Sequence, residues 1–227
     1  MRGLIIHADD LLRAGTPSAR HSEVTPRFSL LLTLIVVFGA GYGAAMGSYG
    51  GDAGFGGARP LQMFYSALKV PLLLLATFGL SLPSYFVINS LLGLREDLGV
   101  AVRALLATQA CLTVVLCALA PLTLTWYASY QAYEEATLFN ALTFAVASVS
   151  GQVLLRRLYR PLIARDVRHR ALLRLWLIIY AFVGIQMGWL LRPFIGIPGA
   201  PTRFLREDTW SNAYVFIANR IWEVLTR

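Results

Sequence analysis

Lysine occurs once in this chain of 227 residues, at Lys69, and the other basic side chains are all arginine. Histidine is almost as sparse. His7, His21 and His169 all lie in polar segments, and no Cys/His spacing suits a metal, so zinc chemistry has no donor set and no cofactor is expected. Cysteine is confined to Cys111 and Cys117, which cannot face each other along one helix and so give neither a disulfide nor a redox compartment. Charge is scarce as well. Charged residues make up 14% of the chain against 57% hydrophobic ones, too little polar surface to clothe a soluble core of that composition.

What is abundant is apolar sequence of bilayer length. A window of roughly 18 residues or more finds five runs: about Phe28 to Gly47, Phe64 to Leu92, Ala101 to Trp126, Thr137 to Leu155 and Ala171 to Leu191. The expected fold class is therefore all-α, a polytopic transmembrane helix bundle of about five spans with a C-terminal amphipathic surface helix. Three regions follow: 1–27 as a cytoplasmic tail, 28–192 as the five-helix transmembrane domain, and 193–227 as an extracytoplasmic Pro/Gly segment with the amphipathic helix. The tail carries a short amphipathic pattern at Leu4, Ala8, Leu11 and Leu12 and then the breaker-rich RAGTPSARHSEVTPR, which reads as a loose tail able to touch the membrane. The first run is too long and too far from the start for an ordinary cleaved signal, so it is expected to stay as an anchor.

Arginine sets the orientation. Arg2, Arg13, Arg20 and Arg27 precede the first span, and Arg95 and Arg103 follow the second. After the fourth, RRLYRPLIARDVRHR adds Arg156, Arg157, Arg160, Arg165, Arg168 and Arg170, with Arg174 just behind. All of these fall on one side. The predicted N-terminus is cytoplasmic and the C-terminus extracytoplasmic, in a bacterial inner membrane. The arginine-rich loop is expected to meet anionic lipid headgroups at the cytoplasmic face, or an acidic partner. Nucleic acid is not an expected partner, because the basic residues flank apolar spans and do not sit on a fold of their own.

On this topology Lys69 lies at the outer mouth of the second span. Its stem is expected to lie along apolar surface while the ammonium snorkels to the headgroups. Pro71 then falls in a first helical turn, where no hydrogen bond is lost. The alternative pairs Lys69 with Glu134 or Glu135 on the same face.

Gly39, Gly43 and Gly47 in the first span, and Gly184 and Gly188 in the fifth, form strips that let another backbone approach, within the monomer or between copies. Pro83 in the second span predicts a kink, with Ser81, Ser84 and Asn89 able to re-satisfy the backbone groups it frees. Gln109, Asn140, Gln152 and Gln186 are the other polar residues in the spans, and no ionisable group sits at a span centre, which argues against a proton relay.

Glu134 and Glu135 resemble the paired glutamates of membrane-embedded prenyl-protein-type proteases, which also need histidines in later spans; none is present. The two acids are expected at the start of a helix, beside an interfacial belt of Trp126, Tyr127, Tyr130 and Tyr133. GSYGGDAGFGGARP lacks the lysine and hydroxyl of a phosphate loop. No nucleophile has a base beside it, so no catalytic residue is named and no enzyme is expected. In the tail, RPFIGIPGAP prevents a long helix, and beyond it Trp210, Tyr214, Ile217, Ile221 and Leu225 fall on one helical stripe, predicted to lie on the membrane surface or on a partner.

KVPLLLLATFGLSLPSYFVINSLLG and LRPFIGIPGAPTRFLRED resemble a family of uncharacterised bacterial polytopic membrane proteins with five spans. That likeness implies a topology and no mechanism. The five-span order is also similar to Yip1-type membrane-trafficking proteins, although their usual DLYGP segment is absent. The expected role is a non-enzymatic integral membrane subunit, a scaffold or accessory protein of a larger inner-membrane complex, partnered by lipids and other membrane subunits. The alternative is a transporter or channel component with a path near the second span.

Overall fold

The computed structural model describes residues 2–14, 27–50, 60–130 and 132–205, together with Tyr214, Val215 and Trp222. Six helices account for most of them: α1 Arg2–Arg13, α2 Phe28–Gly47, α3 Pro60–Leu91, α4 Leu98–Ser129, α5 Tyr133–Arg165 and α6 Arg168–Leu190. A single 3-10 turn, Arg95–Asp97, joins α3 to α4. No strand occurs among the described residues. Five of the helices, α2 to α6, are long and apolar enough to cross a membrane. The chain is an all-α, multi-pass membrane bundle.

Three of the spans, α3, α4 and α5, outgrow their apolar runs. At about 1.5 Å per residue, the 32 residues of α3 reach about 48 Å, well beyond a hydrocarbon core of about 30 Å. The arginines after the fourth apolar run belong mainly to helix, correcting the expected loop: α5 continues through Arg156, Arg157 and Arg160 to Arg165, and only Asp166 and Val167 separate it from α6. Arginine is a good helix former, and a helix keeps its backbone bonds wherever it emerges from lipid. Pro71 is likewise not in a first turn, because α3 begins at Pro60, which takes that favoured place itself. The Pro71 ring instead packs 3.5 Å from where a β-carbon on Gly39 would stand.

α2 packs along α3 and α4, α4 along α5, and α3 along α6, whereas α5 and α6 approach each other only sparsely. The packing order is thus α6, α3, α2, α4, α5, with α5 and α6 at its ends. α4 is the most buried span and α6 the least. On α5, Leu138, Leu142, Val146, Val149 and Val153 form an exposed apolar stripe, the face a lipid-embedded helix turns outward.

The seam between α2 and α3 is a backbone contact. A β-carbon on Gly43 would lie 2.2 Å from the Ser66 carbonyl oxygen, and one on Gly47 would lie 2.7 Å from that of Gln62. Gly39, Gly43 and Gly47 therefore meet α3 of the same chain. In α6, among the described residues, Gly184 meets Thr77 at 3.5 Å and Gly188 has nothing within 4 Å. The N-terminal segment is no loose tail over residues 2–13: α1 is a helix that rests on α4, with Ala8 and Leu11 buried and Ile5, Ile6 and Leu12 exposed.

Candidate functional site

Gln62, Ser66 and Lys69 occupy positions i, i+4 and i+7 of α3 and so share one face. All three are fully buried. Against that face lies the segment after α6, where Pro193 and Pro198 prevent helix and Gly199 takes a positive φ of 70°. Non-helical backbone leaves carbonyl oxygens without partners, a severe cost away from water. The α3 face supplies the donors. Lys69 Nζ donates to Pro193 O at 2.6 Å, Gln62 Nε2 to Phe194 O at 3.0 Å, and Ser66 Oγ to Phe194 O at 2.5 Å. The Lys69 ammonium also lies 5.1 Å from the Phe204 ring and 6.0 Å from that of Phe194, within the range of cation–π attraction.

Both expectations for Lys69 are corrected by this arrangement. It does not snorkel, because its side chain is 0% exposed, and it does not pair with Glu134 or Glu135, which are exposed in the first turn of α5. The ammonium is held by the Pro193 carbonyl and flanked by the Phe194 and Phe204 rings. The KVPLLLL stretch of α3 and the LRPFIGIPG stretch after α6 thus meet through the Lys69 bond to Pro193.

Deeper in the bundle, long tyrosines span the distance from α2 and α4 to α5. Tyr42 Oη donates to Asn140 Oδ1 at 2.9 Å and lies 2.5 Å from Thr143 Oγ1. Asn140 Nδ2 donates to Tyr127 Oη and, at 2.7 Å, to Ala136 O. Tyr127, placed by sequence in an interfacial belt, is instead fully buried, because its hydroxyl completes this network.

At the opposite end, Ser81, Tyr85 and Asn89 face inward from α3 while Pro83 and Ser84 face outward. The helix runs unbroken through Pro83, and some of the nearby polar groups have local partners, while Thr77 Oγ1, Asn89 Oδ1 and Ser90 Oγ have none among the described residues. Ser81 Oγ donates to Thr77 O at 2.7 Å, and Asn89 Nδ2 donates to Leu94 O at 3.1 Å, closing the turn after the helix. Tyr85 and Tyr159 join hydroxyls at 2.5 Å. His169, outside every apolar run, is fully buried, with Nε2 3.1 Å from Asp97 Oδ2. Nothing in the spacing of His169 and Asp97 signals that pair.

The arginines divide into two groups. Arg165 Nη1 donates to Asp97 Oδ1 at 3.0 Å, while Arg168 grips Asp166 at 2.6 Å and donates to Leu92 O at 2.7 Å. The Arg168 bonds hold the Asp166 carboxyl below its ordinary value. Arg156, Arg157, Arg160 and Arg170 are exposed and have no hydrogen-bond or ion-pair partner among the described residues. Tyr214 stacks on Phe182 of α6 at 4.3 Å between ring centroids. Trp210, Ile217 and Ile221 of the same expected stripe lie outside the described residues.

A half-open cavity of about 410 Å³ lies at the Lys69 end. Its walls include Met46 of α2, Leu73 of α3, Thr137 and Ala141 of α5, and the turn from Arg192 to Ile195. Arg192 is held in place by its own α6, with Nε donating to Trp189 O at 3.3 Å and the guanidinium carbon 3.1 Å from the Trp189 ring centroid. Among the described residues no group of three His, Cys, Asp or Glu side chains is placed to hold a metal. Comparison with family models, with curated proteins and with solved structures finds no match for this chain.

Proposed function

We propose that this protein is a non-enzymatic subunit or scaffold of a larger membrane assembly, residing in a bacterial inner membrane with its N-terminus cytoplasmic and its C-terminus outside. One observation carries the proposal. The polar side chains of the interior are largely committed to one another or to backbone, as in the Tyr42–Asn140–Tyr127 network, the Tyr85–Tyr159 pair and the Tyr180 bond to Gln109 at 2.7 Å. Groups so committed hold helices together and leave, among the described residues, six buried polar atoms without a partner, Gln62 Oε1, Thr77 Oγ1, Asn89 Oδ1, Ser90 Oγ, Trp126 Nε1 and His169 Nδ1. Surface features supply the contacts: the unpaired arginines of α5 and α6, which suit anionic headgroups or an acidic subunit, and the apolar flank of α1.

The runner-up is a transporter component, which the half-open cavity favours as an entry point. Affinity purification from native membranes in mild detergent separates the two. A scaffold brings down another membrane chain in fixed stoichiometry, and charge reversal at Arg156, Arg157 and Arg160 reduces that recovery. Pure protein that moves a solute across liposomes, with no partner recovered, overturns the proposal in favour of transport.

A further inference from the structure

Two helices turn apolar faces outward, and both faces end in arginine. On α5 the exposed stripe of Leu138, Leu142, Val146, Val149 and Val153 advances three or four residues at a time, and the same step carries it on to Arg156, Arg157 and Arg160. On α6 that step runs from Arg170 and Arg174 to the exposed Ile178, Phe182 and Ile185. All five arginines are exposed. Only Asp166 and Val167 separate the two helices, so both sets belong to one end of the bundle.

The charge there is uncommitted. None of the five guanidinium groups has a hydrogen-bond or ion-pair partner among the described residues. On the turns at this end, Asp97 is taken by Arg165 and His169, and Asp166 by Arg168, which leaves the exposed Glu96 against five arginines.

Depth decides what meets them. At about 1.5 Å per residue, Arg156 to Arg160 stand about 27 to 33 Å along α5 from Leu138, close to one hydrocarbon thickness of about 30 Å. A face that touches acyl chains over that length delivers its arginines to the phosphate layer, where a long side chain can rest its stem on apolar surface and its head among phosphate oxygens. A guanidinium suits that contact, because its paired N–H groups match two oxygens of one phosphate.

We infer, resting on the membrane placement proposed above and deepening it, that the arginines of α5 and α6 form a binding surface for anionic phospholipid, with acyl chains along the apolar stripes and phosphates on the guanidinium groups. Arg165 and Arg168 stand apart from this surface, since their bonds to Asp97, Asp166 and Leu92 O fasten one helix connection to another. No second protein is needed for the lipid to bind.

Native mass spectrometry of the full chain, released from nanodiscs of phosphatidylcholine with a minor share of phosphatidylglycerol, tests this. Wild type is expected to retain phosphatidylglycerol well above its share in the disc. Arg156→Gln, Arg157→Gln and Arg160→Gln together are expected to cut that enrichment by roughly tenfold, the scale of three surface charges after screening. Arg170→Gln with Arg174→Gln is an independent second variant, expected to lose roughly threefold on the same scale. Glutamine matches arginine closely in helix propensity, and circular dichroism verifies the fold of each variant. No enrichment in wild type, or enrichment equal in wild type and the folded glutamine variants, would overturn the inference; partner recovery from native membranes that is lost on the same changes would then assign the surface to an acidic subunit. Enrichment in a pure chain that recovers no partner overturns the scaffold and upholds the lipid surface.

Discussion

The two ends of the bundle face the same difficulty, polar groups held away from water, and resolve it with different partners. At the Lys69 end a cation and two neutral donors meet backbone carbonyls of a proline-rich turn. At the Arg165 end, ionisable side chains answer one another: Asp97 with Arg165 and His169, Asp166 with Arg168. A carbonyl neither titrates nor exchanges its charge with salt, whereas a carboxylate does both. In acid, where Lys69 keeps its proton, the first end therefore keeps its bonds while the second loses its carboxylate charges.

The largest test of that contrast is Lys69→Glu. It sets a carboxylate against the Pro193 and Phe194 oxygens where the cation stood, a mispaired buried charge worth about 3–5 kcal/mol, and thermal unfolding in detergent should fall steeply. Gly43→Ala comes next. Its methyl would stand 2.2 Å from the Ser66 oxygen, so α2 must part from α3 at about 1–3 kcal/mol or more, while Gly99→Ala near the other end has nothing within 4 Å among the described residues and should leave stability unchanged or raise it by up to about 1 kcal/mol.

Acid sharpens the comparison further. Arg168 holds the Asp166 carboxyl below its ordinary 3.8 in the folded chain, so the stabilisation is present above 3.8 and is lost as pH falls through the depressed folded value. Amide exchange, corrected for intrinsic rates, should then rise around residues 92–98 and 166–170 in strong acid while residues 192–197 keep their protection. Smallest of all is Arg165→Gln. Its bond to Asp97 is made by an arginine exposed by 70%, and such pairs contribute about 0–1 kcal/mol and are screened by salt, so wild type and variant should converge in stability at about 1 M salt.

The difference between the ends also explains what could be read from the chain. The five spans were legible because lipid demands an apolar run of fixed length, and Phe28–Gly47 emerges with its expected limits. The start of α3 and the far end of α5 were not, since past the hydrocarbon a helix has no apolar signature to mark where it stops. The Lys69 bond to Pro193 crosses 124 residues. Every residue has the same carbonyl, so the acceptor leaves no mark in composition. Lys69 and the prolines after α6 stand out in the sequence, but Gln62 and Ser66, which complete the donor face, carry no mark that sets them apart there. Asn140 was noticed as a polar residue within a span, but its partners are tyrosines with an aromatic body, and hydropathy counts them as apolar surface or interfacial belt. His169 was hidden by its polar neighbours, although its imidazole turns inward.

The seam at Gly43 and Gly47 has a mechanical corollary. Where two rods touch main chain to main chain, neither can roll or slide past the other without a collision, so α2 and α3 travel as a single beam. Any breathing of the bundle must then come from its loosely joined rim, with α5 swinging on its tyrosine struts or α6 on its short turn, while the beam stays straight.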